Sequence, residues 1–425
     1  MKPKYISTMI LIIAFILSLT ISACSGGTNV ANNPNLDHLT KAEKFSTGKQ
    51  WKEAISEYDE AIKENPGSAS VYIRRGYAYQ QKGDMDKAIA DFDKALQLNP
   101  KLAEAYYYRG DTWLGKNQLE KAVEDFKKTI ELDQNFSMAY FNLGLTYQTS
   151  GDIDKAIANY DKAIVLDPKL AIAYNNRGNI YSFKDEMVKA MADFQKAIEL
   201  DPQLAEAYNS RGVVYARVNQ SDKAIAEFNK AIELNPKFAM AYFHRGRTYS
   251  IKDDLNKAIA DYNKAIELDS RLTMAFLYRG MALDEKGELD KAVNDYSKAI
   301  QLDPKMTEAY YHRGDTYAGT GQIDDAITDF TKVLELDPYY TEAYVQRGLC
   351  YNIKKEWDKS IADFTRAIQL DNKFIKAYMY RAASYDSKGD YVKARSDLDK
   401  SLQLTKDPEI IKVIQQWLKD LAVKP

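Results

Sequence analysis

Apolar residues along this chain recur in pairs of short helical stripes. Between Ala205 and Phe238, Tyr208, Gly212, Tyr215 and Val218 fall at helical spacing, Asn219 interrupts, and Ala224, Ile225, Phe228, Ala231, Ile232 and Leu234 form a second amphipathic stripe that Pro236 closes. The pattern predicts a tight hairpin of two helices. Placing Gly212 under its counterparts gives Gly76, Gly110, Gly144, Gly178, Gly246, Gly280, Gly314 and Gly348, each a multiple of 34 residues away, with Ala42 and Ala382 at the ends. Eleven copies result, starting at residues 35, 69, 103, 137, 171, 205, 239, 273, 307, 341 and 375. A fixed period of this length marks a solenoid, in which each unit buries its apolar face only by stacking on its neighbours.

Between the two stripes stand Gly83, Asn117, Gly151, Asp185, Asn219, Asp253, Gly287, Gly321 and Gly389, types that tolerate a left-handed helix end; Lys355 is the exception. Residues 409–425 carry Ile410, Ile414, Trp417, Leu418 and Leu421 along one face and predict a capping helix and tail after the repeats of 35–408.

The aromatic at Tyr208, with Gly212, Tyr215, Ala224, Phe228, Ala231 and Pro236, resembles the tetratricopeptide repeat over nearly the whole chain after the first 34 residues. The resemblance implies an all-α, right-handed superhelical solenoid whose first helices line a concave groove. One departure is systematic. Where the family commonly has Leu before the Gly, this chain has arginine, and sixteen residues later an acid, as in Arg75 with Asp91, Arg211 with Glu227 and Arg313 with Asp329. The copy with Leu143 has Asn159 at the second position, so both charges vanish together. We read this as an ion pair joining the two helices of each repeat, rather than as a basic stripe for phosphates.

The N-terminus follows different rules. Lys2 and Lys4 precede an apolar run from Met9 to Ile21, and Ile21-Ser22-Ala23-Cys24 resembles a bacterial lipobox. Residues 1–23 then read as a lipoprotein signal peptide, Cys24 as the lipidated residue and 24–34 as the flexible start of the mature chain; an uncleaved anchor helix is the alternative. Either places the array outside the cytoplasm, lipid-anchored in the cell envelope, and in a Gram-negative host Ser25 points to the outer membrane.

Charge and chemistry narrow the class of function. With 59 basic and 61 acidic residues there is no basic field for nucleic acid. His38, His244 and His312 are too dispersed to share a metal, no phosphate loop or nucleophile motif is present, and neither a cofactor nor catalytic residues are expected.

At the positions that the resemblance turns inward, Tyr77, Tyr107, Tyr108 and Phe141 form an aromatic neighbourhood, followed by the amides Asn142, Asn175, Asn176, Asn179 and Asn209, and later by Tyr278, Tyr311, His312 and Tyr380. Side-chain amides can pair with the backbone of an extended peptide; the alternative is that they are only solvated residues. Acids such as Glu43, Glu104, Asp111, Asp284, Glu308, Asp315 and Glu342 outnumber Arg74, Arg217, Arg247 and Lys376 there, so the groove favours neutral or basic segments. The expectation is a membrane-anchored, non-catalytic scaffold that binds extended segments of partner proteins, the partners themselves being unknown. The alternative is a non-catalytic accessory subunit of an envelope glycan synthesis, export or assembly complex.

Overall fold

The computed structural model describes residues 35–423, so the signal segment, Cys24 and the tether lie outside the described residues. Among the described residues all regular structure is helical. First helices begin at Asn35, Ala69, Ala103, Ser137, Ala171, Ala205, Ala239, Thr273, Thr307, Thr341 and Ile375. Second helices begin at Trp51, Met85, Leu119, Ile153, Met187, Ser221, Leu255, Leu289, Ile323, Trp357 and Tyr391. The chain divides into two compact units, residues 1–214 and 215–425, with the boundary inside the helix Ala205–Arg217. In each unit hairpins stack in chain order, and some first helices of successive repeats also touch one another, as Ala69–Lys82 touches Ala103–Gly115 and Thr273–Glu285 touches Thr307–Gly319.

The core of every hairpin but the last, where Leu398 takes the place, is built around a large ring set among small residues. In the repeat from Thr273, Tyr296 lies fully buried between Ala292 and Ala299, beneath Phe276 and Leu277. Its ring reaches the facing helix because Gly280 has no side chain; a Cβ there would stand 2.7 Å from Tyr296 Cε1. Adding even one methyl group would force the pair apart. The small residue and the ring, 16 positions apart, are thus one packing device repeated along the chain.

The turn between the helices is left-handed in every hairpin for which the sequence offers Gly, Asn or Asp, for example Gly83 at φ 90°, Asp185 at 65° and Asn219 at 58°. Lys355, the exception in sequence, adopts φ 60°, and Lys49 adopts 57°. The turn is imposed by the packing on either side of it, and the two lysines carry a strain of about 1 kcal/mol each relative to glycine.

The C-terminal helix runs Pro408–Ala422, one residue earlier than the hydrophobic pattern suggested. Proline fits a first helical position, where the missing N–H has no partner to lose, and Asp407 caps the end by accepting from the Glu409 and Ile410 backbone N–H groups. Ile414 and Leu421 are buried against Ala382, Ala394 and Leu398 of the last hairpin. This helix therefore covers an apolar face that a twelfth repeat would otherwise occupy.

Candidate functional site

The arginine series does more than join two helices. Arg75 donates from Nε and Nη2 to both oxygens of Asp91, at 2.8 and 2.6 Å, and from Nη1 to Asp59 of the preceding repeat at 2.7 Å. Arg109 repeats this with Asp125 and Asp93, and Arg177 with Asp193 and Asp161. Arg313 takes Asp329 as its fork partner, at 2.8 Å on both arms, with Ser297 Oγ behind it at 2.9 Å. The backward acceptor lies sixteen residues before each arginine. It is carboxylate in the early repeats, amide at Gln195, Asn229 and Asn263, and hydroxyl at Ser297, Thr331 and Thr365.

Each guanidinium also lies over a tyrosine or phenylalanine three residues earlier, as Arg109 does over Tyr106 at 5.5 Å. Burial pushes the Asp91, Asp125 and Asp363 carboxyls up, against the downward pull of the arginine each one holds. These side chains are therefore occupied with one another.

The sequence carried a signal for the backward link. At the one repeat where Leu143 replaces arginine, the residue sixteen before it is Lys127, the only cation in that series. Leu143 is buried in the local core, while Asn159 turns to the Lys155 carbonyl of its own helix. Arg211 donates to Gln195 Oε1 at 2.5 Å, and Glu227 lies on Ser221–Leu234 in the second unit. In the first hairpin, whose repeat has Lys41 in place of arginine, Glu57 pairs with His38 at 2.6 Å.

The amides of the inner face are more deeply set than an open groove implies. Asn142 is 6 % exposed, Asn175 2 %, Asn176 6 % and Asn209 3 %, and Tyr107 is buried as well; Asn179, Tyr77 and Tyr108 keep moderate surface. The buried amides lie among the packed helices. Asn142 Nδ2 donates to Tyr107 Oη at 3.2 Å and to Asp111 Oδ1 at 3.1 Å. Asn175 Nδ2 donates to Asn176 Oδ1 at 3.3 Å.

Two atoms have no such partner. Asn175 Oδ1 and Asn209 Oδ1, one repeat apart and at the same register, are shielded from solvent without a hydrogen-bond donor. A buried carbonyl left this way costs about 1–3 kcal/mol. Both oxygens are closed off from solvent as the array stands, so a donor from outside reaches them only where the side chains over them move aside.

Cys350, which replaces the small residues Ala78, Thr112 and Val214 at its register, is buried and burial pushes its thiol up to about 11, the wrong direction for a nucleophile. Among the described residues no three His, Cys, Asp or Glu side chains are placed to hold a metal ion, and no helix is long and apolar enough to cross a membrane.

Family models recognise the repeat. Tetratricopeptide repeat profiles match residues 69–102, 171–204, 205–238, 239–272 and 307–340, a TPR repeat profile matches 114–151, 149–182 and 280–321, and a further tetratricopeptide repeat profile matches 341–374. No curated protein sequence matches. Solved structures similar to this chain include YrrB, described as a TPR protein with an unusual peptide-binding site, at 28% identity over 43% of this chain and 95% of that one, with a TM-score of 0.39. Yeast Tom70 is 18% identical over 92% and 96% of the two chains, with a TM-score of 0.38. The Cut9–Hcn1 heterotetramer of APC/C is 15% identical over the same shares, with a TM-score of 0.41.

Proposed function

The chain belongs to the tetratricopeptide repeat family, and from that premise we propose that it is a membrane-anchored scaffold of the bacterial cell envelope that binds extended segments of partner proteins along its first-helix face. The observation that carries this reading is the pair of unpartnered amide oxygens, Asn175 Oδ1 and Asn209 Oδ1. Their repeat spacing suits a ligand whose donors also recur, which a polypeptide backbone has and a globular surface lacks. Such a ligand gains affinity from main-chain hydrogen bonds with little demand on its sequence.

An acyl group on Cys24 would hold the array at the membrane surface, with residues 25–34 as tether. The scaffold then works by local concentration, keeping bound segments near the bilayer without altering them.

A photoreactive residue separates the inner face from the outer surface. Placed at Asn179, partly exposed on Ala171–Phe183, benzoylphenylalanine is expected to form discrete protein adducts in native membranes. Placed at Val188, 87 % exposed on Met187–Leu200, it is expected to form none. Adducts from Val188 alone would move partner binding to the second-helix surface.

A further inference from the structure

The face carries a carboxylate that the arginine series does not serve. Asp111 Oδ2 accepts from Gln80 Nε2 at 2.6 Å and Oδ1 from Asn142 Nδ2 at 3.1 Å, so both of its partners are neutral amides. Arg74, an arginine of the same face, is paired with Glu43. Around Asp111 stand three tyrosines: the Tyr108 ring lies 5.3 Å from both Tyr77 and Tyr107, and Tyr107 Oη shares the Asn142 amide. Gln80 Oε1 beside it is shielded without a partner. A carboxylate fixed by two amide donors keeps lone pairs for a cation, and tyrosine faces attract one.

The constellation recurs 204 residues later, in the second unit. Asp315 Oδ1 accepts from Gln346 Nε2 at 2.9 Å, as Asp111 does from Asn142. Tyr311 stands for Tyr107 and packs on Tyr340 at 5.1 Å, as Tyr107 packs on Phe136 at 4.9 Å. Asp284 replaces Gln80 and adds a second negative charge, with Thr316 Oγ1 donating to it at 3.1 Å. The hydroxyl of Tyr296, a fully buried side chain, faces Asp284 here. The repeats between these two sites do not carry aspartate at this register: Leu145, Asn179, Val213, Arg247 and Met281 stand there.

We propose that Asp111 and Asp315, each with its flanking aromatic rings, are pockets for cationic side chains, so that the segments taken up by this array carry arginine or lysine at the points that reach them. The inference rests on the peptide-binding reading and narrows it to basic segments. The chemistry is the one the chain uses internally, where Arg109 lies over Tyr106 and forks onto Asp125. In the pockets the carboxylate and the rings are present and the guanidinium is supplied by the ligand.

The test is fluorescence anisotropy of the full-length protein in detergent micelles with two labelled probes, a peptide of repeated Gly-Ser-Arg and one of repeated Gly-Ser-Gln. The arginine peptide is expected to bind about tenfold more tightly, and Asp111→Asn with Asp315→Asn to erase that preference, so that the two peptides then bind alike. Tyr77→Ala, which leaves both carboxylates in place, is expected to weaken the arginine peptide about threefold and spare the other. Thermal melts separate folding from binding in each variant. Equal binding of the two peptides, or a preference that survives the double substitution, overturns the cationic pockets and leaves peptide binding standing. Failure of both peptides to bind overturns both.

Discussion

Arg313→Met is expected to destabilise its hairpin by about 3 kcal/mol, and adding Asp329→Leu to restore most of that loss. The asymmetry follows from burial. Asp329 keeps only 4% of its side-chain surface and Arg313 19%, so removing the cation leaves a carboxylate with neither water nor a partner. Removing both replaces the pair by apolar groups in a setting already lined by Tyr310 and Tyr317. Leu143 shows that the fold accepts this solution, since it is buried where the arginine would be. Because Arg313 also holds Ser297, the single variant should raise hydrogen exchange in Leu289–Leu302 as well as in Ile323–Leu336. If single and double variants unfold at the same urea concentration, the pair contributes nothing beyond packing.

Acid is expected to weaken the repeat from Ala239 by about 2 kcal/mol between pH 7 and pH 5, and His244→Phe to abolish that loss. Burial, with Arg247 nearby, lowers the His244 imidazole to about 3, and its Nε2 is shielded without a partner. The unfolded chain takes up a proton near pH 6.5, whereas the folded repeat refuses it until about pH 3. Stability is therefore full above pH 6.5 and declines as the pH falls through that window. Phenylalanine keeps the ring that stacks on Phe228 at 5.9 Å and removes the titration. His38 works in the opposite sense, because its hydrogen bond to Glu57 raises it, so exchange should be read in Ala239–Ile251 itself rather than from a whole-chain melt. An acid limb unchanged in His244→Phe would show that other groups govern it.

The repeat, its register and its hairpins were legible because they are periodic, and eleven copies of one spacing average out local exceptions. The exceptions show where the reading stopped. Lys355 does not look like a left-handed residue, yet stacking on both sides forces it to be one. The forward partner of each arginine is visible as an acid at a fixed offset. The backward partner changes from Asp59 to Gln195 to Thr365, and only the shared capacity to accept a hydrogen bond unites the three.

The inner face was legible in membership but not in depth. Asn142, Asn175, Asn176 and Asn209 sit at the registers the resemblance turned inward, but how deeply they are buried depends on packing between helices, which no single repeat encodes. The unpaired states of Asn175 Oδ1 and Asn209 Oδ1 emerge only from the packed array. Asp111 and Asp315 were readable as acids, while their common setting of amide donor and packed rings required the fold.

If Asn209 Oδ1 is kept for a ligand at the expense of stability, Asn209→Leu, which removes no hydrogen bond to a neighbouring side chain, tests both halves of that statement in one preparation. Deleting a buried carbonyl that nothing satisfies should leave the melting temperature equal to or above that of the unaltered protein. The same variant, carrying the photoreactive residue at Asn179, should lose its membrane adducts. A lower melting temperature would mean that the amide serves the fold, and adducts formed as before would mean that partners are held elsewhere.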